Sequence, residues 1–284
     1  MGRLLSRFFG KASGRRSSDS PQGFGPLTPR AARDPLPQKM PPIVFQTGPS
    51  QMLETRHLKA VEEFHHMNPG LTFRFLDDDR LHDYMATHWG NHPVYEVFRQ
   101  SRFPQIKTDI FRYAVVYDQG GYYVDINKRL TVPLNSLHEQ DSSGLIMYEA
   151  NYSPAFPHEP EASRLLHPDY VVAQWAFGFV PRHPILERAL TRIVEIAPYF
   201  VDRPVPRVKP AVLAFPGPGL FSQCVHWYFN QFDDESIVQA GQDFWGHSDL
   251  YLPGNRHHYT SNTAVHYSKA RNQSLLTTET QMGL

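Results

Sequence analysis

Asp125 and Asn127 stand two positions apart, directly after the run Gly120-Gly121-Tyr122-Tyr123-Val124. Two oxygen-bearing side chains side by side can hold Mg²⁺ or Mn²⁺, and such a cation can in turn hold a diphosphate. Upstream, Asp109 and Arg112 lie at i and i+3 of a stretch that reads as a helix, so they share a face. An arginine there offers a planar, multi-donor partner for phosphate or ribose. Both pairs also have ordinary readings. Asp109 and Arg112 could be a helix-surface ion pair. Asp125 and Asn127 could be a strand end entering a turn, where Asp and Asn are favoured.

The elements that position these four residues are legible around them. Pro104 suits the first turn of a helix running to about Asp118, with Ile106, Ile110, Phe111, Ala114, Val115 and Tyr117 as its apolar side. Gly120-Gly121 supplies a left-handed stop. Tyr122 to Ile126 reads as the following strand, which aims Asp125 and Asn127 the same way. Earlier in the chain, Ile43-Val44-Phe45-Gln46-Thr47 reads as a buried strand stopped by Gly48-Pro49. Residues 51–67 read as a helix ended by Asn68-Pro69-Gly70, and Leu71 to Leu76 as a second strand. Asp77-Asp78-Asp79 is placed to cap a further helix over Leu81, Tyr84 and Met85. Strand, helix, strand, helix predicts an α/β fold with a parallel sheet. In such sheets ligands bind beyond the carboxyl ends of the strands, which is where the four residues are brought.

The 284 residues carry 28 basic and 28 acidic side chains, a balance that excludes a uniformly basic nucleic-acid-binding surface. A single cysteine excludes an internal disulfide framework and an all-cysteine zinc site. No run of about 18 apolar residues is present, so no transmembrane helix is expected. Residues 1–40 hold eight basic residues against two acidic ones, with abundant Ser, Gly and Pro, and read as a disordered basic tail. Residues 41–284 then form a single domain. Within the tail, Leu4, Leu5, Phe8 and Phe9 share a helical face beside Arg3, Arg7 and Lys11. That short basic amphipathic segment, residues 1–11, is a candidate for peripheral membrane contact, and Met1-Gly2-Arg3-Leu4-Leu5-Ser6 fits the loose myristoylation pattern.

The run from Lys107 to Asn127 resembles the core signature of DXD-motif glycosyltransferases of family 32, which includes initiation-type α-1,6-mannosyltransferases and inositolphosphoceramide mannosyltransferases. There a small residue, Asp, two residues, Arg-Tyr, an apolar run, Gly-Gly, an aromatic and Asp-x-Asp follow one another. Weaker likenesses occur in the same order along the chain: Pro42 to Thr47, Asn68-Pro69 through Asp79, Gln174 to Gly178 with Arg182-His183-Pro184, and Pro216-Gly217-Pro218-Gly219. Together they span roughly Pro42 to His266.

The resemblance implies a GT-A type, Rossmann-like nucleotide-sugar domain with a mainly parallel mixed sheet. It also implies a hexosyltransferase that moves a hexose from GDP-mannose or a UDP-sugar to a glycan or glycolipid acceptor. A divalent metal, Mn²⁺ or Mg²⁺, and retention of configuration come with it, as does a Golgi location, against which stands a cytoplasmic one with peripheral membrane association. Carried over residue by residue, Asp109 and Arg112 contact the sugar and ribose of the donor, and Tyr113 packs on the donor side. Gln46 and Thr47 sit near the nucleotide, and Gly121 is counted with the donor-binding residues. Asp125 holds metal and ribose, Asn127 takes the second metal position, and His266 is a third ligand; Asp125 and Asn127 form the catalytic pair.

The sequence also departs from the pattern. Asn127 replaces the second Asp of the motif, which removes a negative charge and the bidentate option. Gly48 replaces a Trp, Phe45 a His and Pro216 a Thr. A catalytically weak or inactive nucleotide-sugar or glycan-binding protein on the same fold is therefore the second reading, and a metal-dependent phosphohydrolase the third. Trp175, Trp227 and Trp245 are candidates for stacking on a base or an acceptor sugar. The pairs His65-His66 and His257-His258 are read as solvated, and Cys224 as core.

Overall fold

Strand β1 (Ile43–Thr47) is hydrogen-bonded in parallel to β2 (Thr72–Leu76) on one side and to β3 (Gly121–Val124) on the other. A computed structural model describes residues 24–27, 38–152, 164–250 and 267–278. The sheet is completed by β4 (Gly144–Tyr152), β5 (Tyr170–Val172), β6 (Ala176–Phe179) and β7 (Ile237–Gln242). Its order is β2-β1-β3-β6-β4-β7, with β5 paired to β4 off this path. β6 runs antiparallel to both β3 and β4, while β7 is parallel to β4. This is the α/β class and the mainly parallel mixed sheet expected from the sequence.

Both faces of the sheet are covered, so successive residues of one strand enter different cores. Phe45, Tyr123, Ile146, Tyr148, Phe177 and Phe179 face one core; Val44, Tyr122, Val124, Leu145, Met147 and Ala176 face the other. Strands buried on two sides must be apolar throughout, which is why β1 and β3 read as runs rather than alternations. The first core is closed by α2 (Asp78–Trp89), α3 (Pro93–Gln100), α4 (Pro104–Gln119), α5 (Pro184–Ile196) and α7 (Pro218–Gln231), with α6 (Val208–Ala214) beside α7. The second is closed mainly by α1 (Thr55–Met67). Cys224 is buried in α7, as expected, and burial pushes its thiol up to about 12.

Two boundaries differ from the sequence reading. Helix α1 starts at Thr55, because Met52–Glu54 is a short strand paired with Phe24–Pro26. Leu27 and Met40 are buried as well, so short pieces of the expected tail belong to the fold. The amphipathic segment at residues 1–11 lies outside the described residues. Strand β3 ends at Val124 rather than at Ile126. The Asp125 amide still bonds the Trp175 carbonyl (2.8 Å), but the Lys128 amide then closes a turn on the Asp125 carbonyl (2.9 Å). Asp125 and Asn127 therefore sit on a turn, and strand alternation does not set their directions. No described helix is long and apolar enough to cross a membrane.

Candidate active site

Gly120 and Gly121 have φ of 68° and 89°, values that side-chain-bearing residues rarely adopt. They reverse the chain from α4 into β3, so α4 runs back along the sheet with its first turns at the carboxyl edge. That places Asp109 and Arg112 near Asp125. Because β6 is antiparallel, its entry residues Gln174 and Trp175 arrive at the same edge. One helix, one strand end and one incoming strand thus meet here.

Arg112 is the centre of the arrangement. Its Nη2 lies 3.2 Å from Asp109 Oδ1 and 3.3 Å from Asp125 Oδ1. Its Nη1 donates to the Gln174 carbonyl (3.0 Å), and its guanidinium stacks 4.6 Å over the Tyr123 ring. The Gln174 side chain joins the other members. Its Nε2 donates to Asp109 Oδ1 (2.8 Å), while its Oε1 accepts from the Tyr113 hydroxyl, which is shared with the Pro216 carbonyl (3.1 Å). The side chains of Arg112 and Asp109 are only 7% and 6% exposed, whereas that of Asp125 is 30% exposed. The pair is therefore no surface ion pair. It is a buried charge cluster that opens to solvent through Asp125.

Burial dominates the electrostatics. Loss of water pushes the Asp109 carboxyl up to about 7, although Arg112 and Gln174 pull it back and Asp125 adds to the rise. The hydroxyls of Tyr113 and Tyr123 are also raised, first by burial. Arg112 stays charged: burial opposes its charge, but Tyr123, Asp125 and Asp109 outweigh it. Its Nε is buried with no hydrogen-bond partner among the described residues.

The remaining predicted residues divide. The Thr47 hydroxyl bonds that of Tyr123 (2.9 Å), so Thr47 joins the cluster. Gln46, its neighbour, faces the opposite way and pairs with His65 Nε2 (2.9 Å) under α1. His65 is buried and stacked on Phe73, contrary to the solvated reading; His66 is exposed. Gly121 lies at the amino end of β3, away from Asp125. A Cβ there would come within 2.5 Å of the Ile43 carbonyl, so its place is one of close packing. Asn127 is exposed on the turn, and His266 lies outside the described residues. Its neighbour Tyr267 is half-buried, and its hydroxyl is raised by burial and by the fields of Asp109 and Asp125. Among the described residues no three His, Cys, Asp or Glu side chains group as a metal site.

Sequence reasoning missed two contributors. Gln174 was visible only as part of a weak flanking likeness. His57 on α1 is fully buried, and its Nε2 donates to the Ile126 carbonyl (2.8 Å) between Asp125 and Asn127. It pins the turn from behind. A histidine at an apolar helical position gives no sign of this in sequence.

Residues 54–143 match a family model described as a glycosyltransferase sugar-binding region containing the DXD motif. That stretch of the chain is similar to the sugar-binding region of the DXD glycosyltransferases. In the matched span lie α1 with His57, α4 with Asp109 and Arg112, and the Asp125–Asn127 turn; Gln46, Thr47 and Gln174 fall outside it. An initiation-specific alpha-1,6-mannosyltransferase of Schizosaccharomyces pombe (strain 972 / ATCC 24843) is 22% identical over 236 residues, which take in 77% of this chain. They take in 57% of that protein, so the chain spans little more than half the length of this relative. Among solved structures, a PaToxG glycosyltransferase aligns with a TM-score of 0.49 at 15% identity, over 70% of this chain and 73% of that one.

Proposed function

We propose that the protein is a hexosyltransferase. It takes a hexose from a nucleotide-sugar, GDP-mannose or a UDP-sugar, and passes it with retention to a glycan or glycolipid acceptor. The observation that carries this reading is the buried Arg112, fixed between Asp109 and Asp125 at the carboxyl edge of β3. The chain holds a charged, pre-positioned cluster where open α/β sheets bind ligands, and its most exposed member begins the turn at the motif position, with Asn127 in place of the second Asp.

The donor set suits a hard divalent cation. Asp125 offers a carboxylate and Asn127 an amide oxygen, both within reach of solvent. With Arg112 already on one Asp125 oxygen and no charge on Asn127, such a cation would be held weakly. His266, outside the described residues, is the proposed third donor on the strength of the resemblance alone. A cation held there would supply positive charge to offset that of the leaving diphosphate.

The residues of the chain bind and orient. Arg112 fixes the Asp125 carboxylate, Gln174 fixes Asp109 and Tyr113, and His57 fixes the turn. The acceptor oxygen bonds to the anomeric carbon on the face from which the diphosphate departs, as the bond from that carbon to the diphosphate oxygen breaks, and the hydroxyl proton passes to the departing diphosphate oxygen. Much of the rate then comes from positioning and from stabilising the leaving group.

The test is a donor screen on the full chain with GDP-mannose, UDP-glucose, UDP-galactose and UDP-GlcNAc in Mn²⁺, with and without chelator. Chelator-sensitive release of one nucleotide is expected. If no donor is either turned over or bound in calorimetry, the transferase reading falls. The exposed Asn127 in the second motif position favours one other reading, a nucleotide-sugar-binding protein without turnover, which predicts binding with no release.

A further inference from the structure

Strand β7 ends at the same edge of the sheet as β3, and its end is unusual. Asp243, Phe244 and Trp245 follow one another with φ of 46°, 52° and 55°. Three successive non-glycine residues in the left-handed region are rare, and such outliers gather at ligand sites. Here they turn Phe244 inward and Trp245 outward. Phe244 is buried edge-on against Trp175, with ring centroids 6.0 Å apart. The Trp245 indole is 54% exposed and lies over Gly241 so closely that a Cβ there would be 2.7 Å from its Cδ1. The ring is thus held close against the Gly241 backbone with much of its surface in solvent.

Trp245 forms one wall of a hollow of about 440 Å³, lined also by Leu166, His167, Gln242 and Asp243. An aromatic face beside a carboxylate, an amide and an imidazole is the chemistry that recognises a pyranose. The C–H face of the sugar stacks on the ring, and its hydroxyls bond the polar rim. The hollow is tied to the candidate active site by contacts already described: Trp175 accepts from the Asp125 amide and packs against Phe244. Between β3 and β7 lie three strand spacings, roughly 14 Å. That is more than one sugar ring spans.

We propose that this hollow is the acceptor subsite, and that Trp245 stacks on the pyranose that follows the reacting one in a glycan acceptor. Its role as an acceptor subsite rests on the transferase reading, while sugar binding at Trp245 stands or falls separately.

The experiment is saturation-transfer NMR on the full chain with methyl α-mannopyranoside, methyl β-galactopyranoside, mannobiose and lactose, run on wild type, Trp245→Ala and Trp245→Phe. Calorimetry with GDP and UDP is run on the same samples. At least one disaccharide is expected to bind wild type better than the monosaccharides do. Trp245→Ala should weaken that binding about tenfold, and Trp245→Phe should restore part of it. Nucleotide affinity should not change. No saccharide binding to wild type, or binding untouched by Trp245→Ala, overturns the proposal. Saccharide binding that depends on Trp245 in a chain that binds no nucleotide upholds the hollow and sinks the transferase reading.

Discussion

The ends of β3 and β7 are two candidate recognition surfaces built from different materials. At β3 the features are charges: Arg112 between two aspartates, with Gln174, Tyr113 and Tyr123 meeting most of their remaining demands and Arg112 Nε left without a partner among the described residues. At β7 the feature is backbone: three left-handed residues hold one indole in solvent. The first kind of site costs desolvation, repaid only when each buried group has its partner. The second costs strain, of order 1–3 kcal/mol per residue, carried by the packing of Phe244. Charge suits a phosphate-bearing ligand and an exposed ring suits a sugar face, so on the proposed reading the two ends of one sheet edge would divide donor from acceptor by material.

The sharpest break in this contrast is expected at Asp125. Asp125→Ala removes the solvent-reaching member of the charged end. Donor turnover should fall by about 10²–10³-fold, as for loss of a pre-positioned electrostatic group. The melting temperature should move less than on loss of Arg112, since this side chain is the most exposed of the three and Arg112 keeps Asp109. Retained turnover in that variant would remove Asp125 from the chemistry.

Arg112→Met tests whether the charged end is a closed set. It leaves Asp109 buried without its cation, and urea unfolding should show a loss of about 3–5 kcal/mol. Adding Asp109→Leu should give much of that back, because the orphaned carboxylate is then gone. The Trp245→Ala variant should show no comparable loss, which separates the two materials on one instrument.

A smaller effect is expected behind the turn. His57→Leu leaves the Ile126 carbonyl buried without a donor and frees the turn that carries Asp125. Turnover efficiency should drop about tenfold, with His57→Gln recovering part of it. An unaltered efficiency alongside a lowered melting temperature would make His57 a packing residue only.

The smallest signal is in pH. Burial raises the Asp109 carboxyl from 3.8 to about 7, so the fold favours its protonated form. That contribution to stability is complete below about pH 3.8 and is lost as pH rises to about 7. Relative to Asp109→Asn, wild type should therefore lose stability with rising pH across that window. Parallel curves for the two proteins would show that Asp109 does not titrate there.

Much of the charged end was legible in the sequence, and almost none of the backbone end. Pro104 and Gly120-Gly121 bracket α4 with local signals, and Asp77 caps α2 as its type suggests, accepting from the Arg80 amide (3.1 Å). The i to i+3 spacing of Asp109 and Arg112 then follows from helical geometry alone. The β7 end has no such signal. Asp243-Phe244-Trp245 is an ordinary tripeptide, and its left-handed turn is imposed by tertiary contacts. The same holds for Gln174, which reaches the cluster only because β6 enters the sheet in reverse. His65 was misread because its partner Gln46 is on another element. Short-range rules report caps, stops and faces; they do not report what arrives from far along the chain.

From Asp109 to Val116 every residue of α4 is buried. Most helices keep a wet side, and a saturation scan across them shows tolerance rising and falling every three to four positions. Across these eight residues that rhythm is absent, and a scan would return an unbroken block of intolerance in which ionic and aliphatic positions look alike. Intolerance to substitution cannot then tell the residues that touch a ligand from those that only fill space. In this helix, function has to be read from chemistry and geometry, because damage alone carries no address.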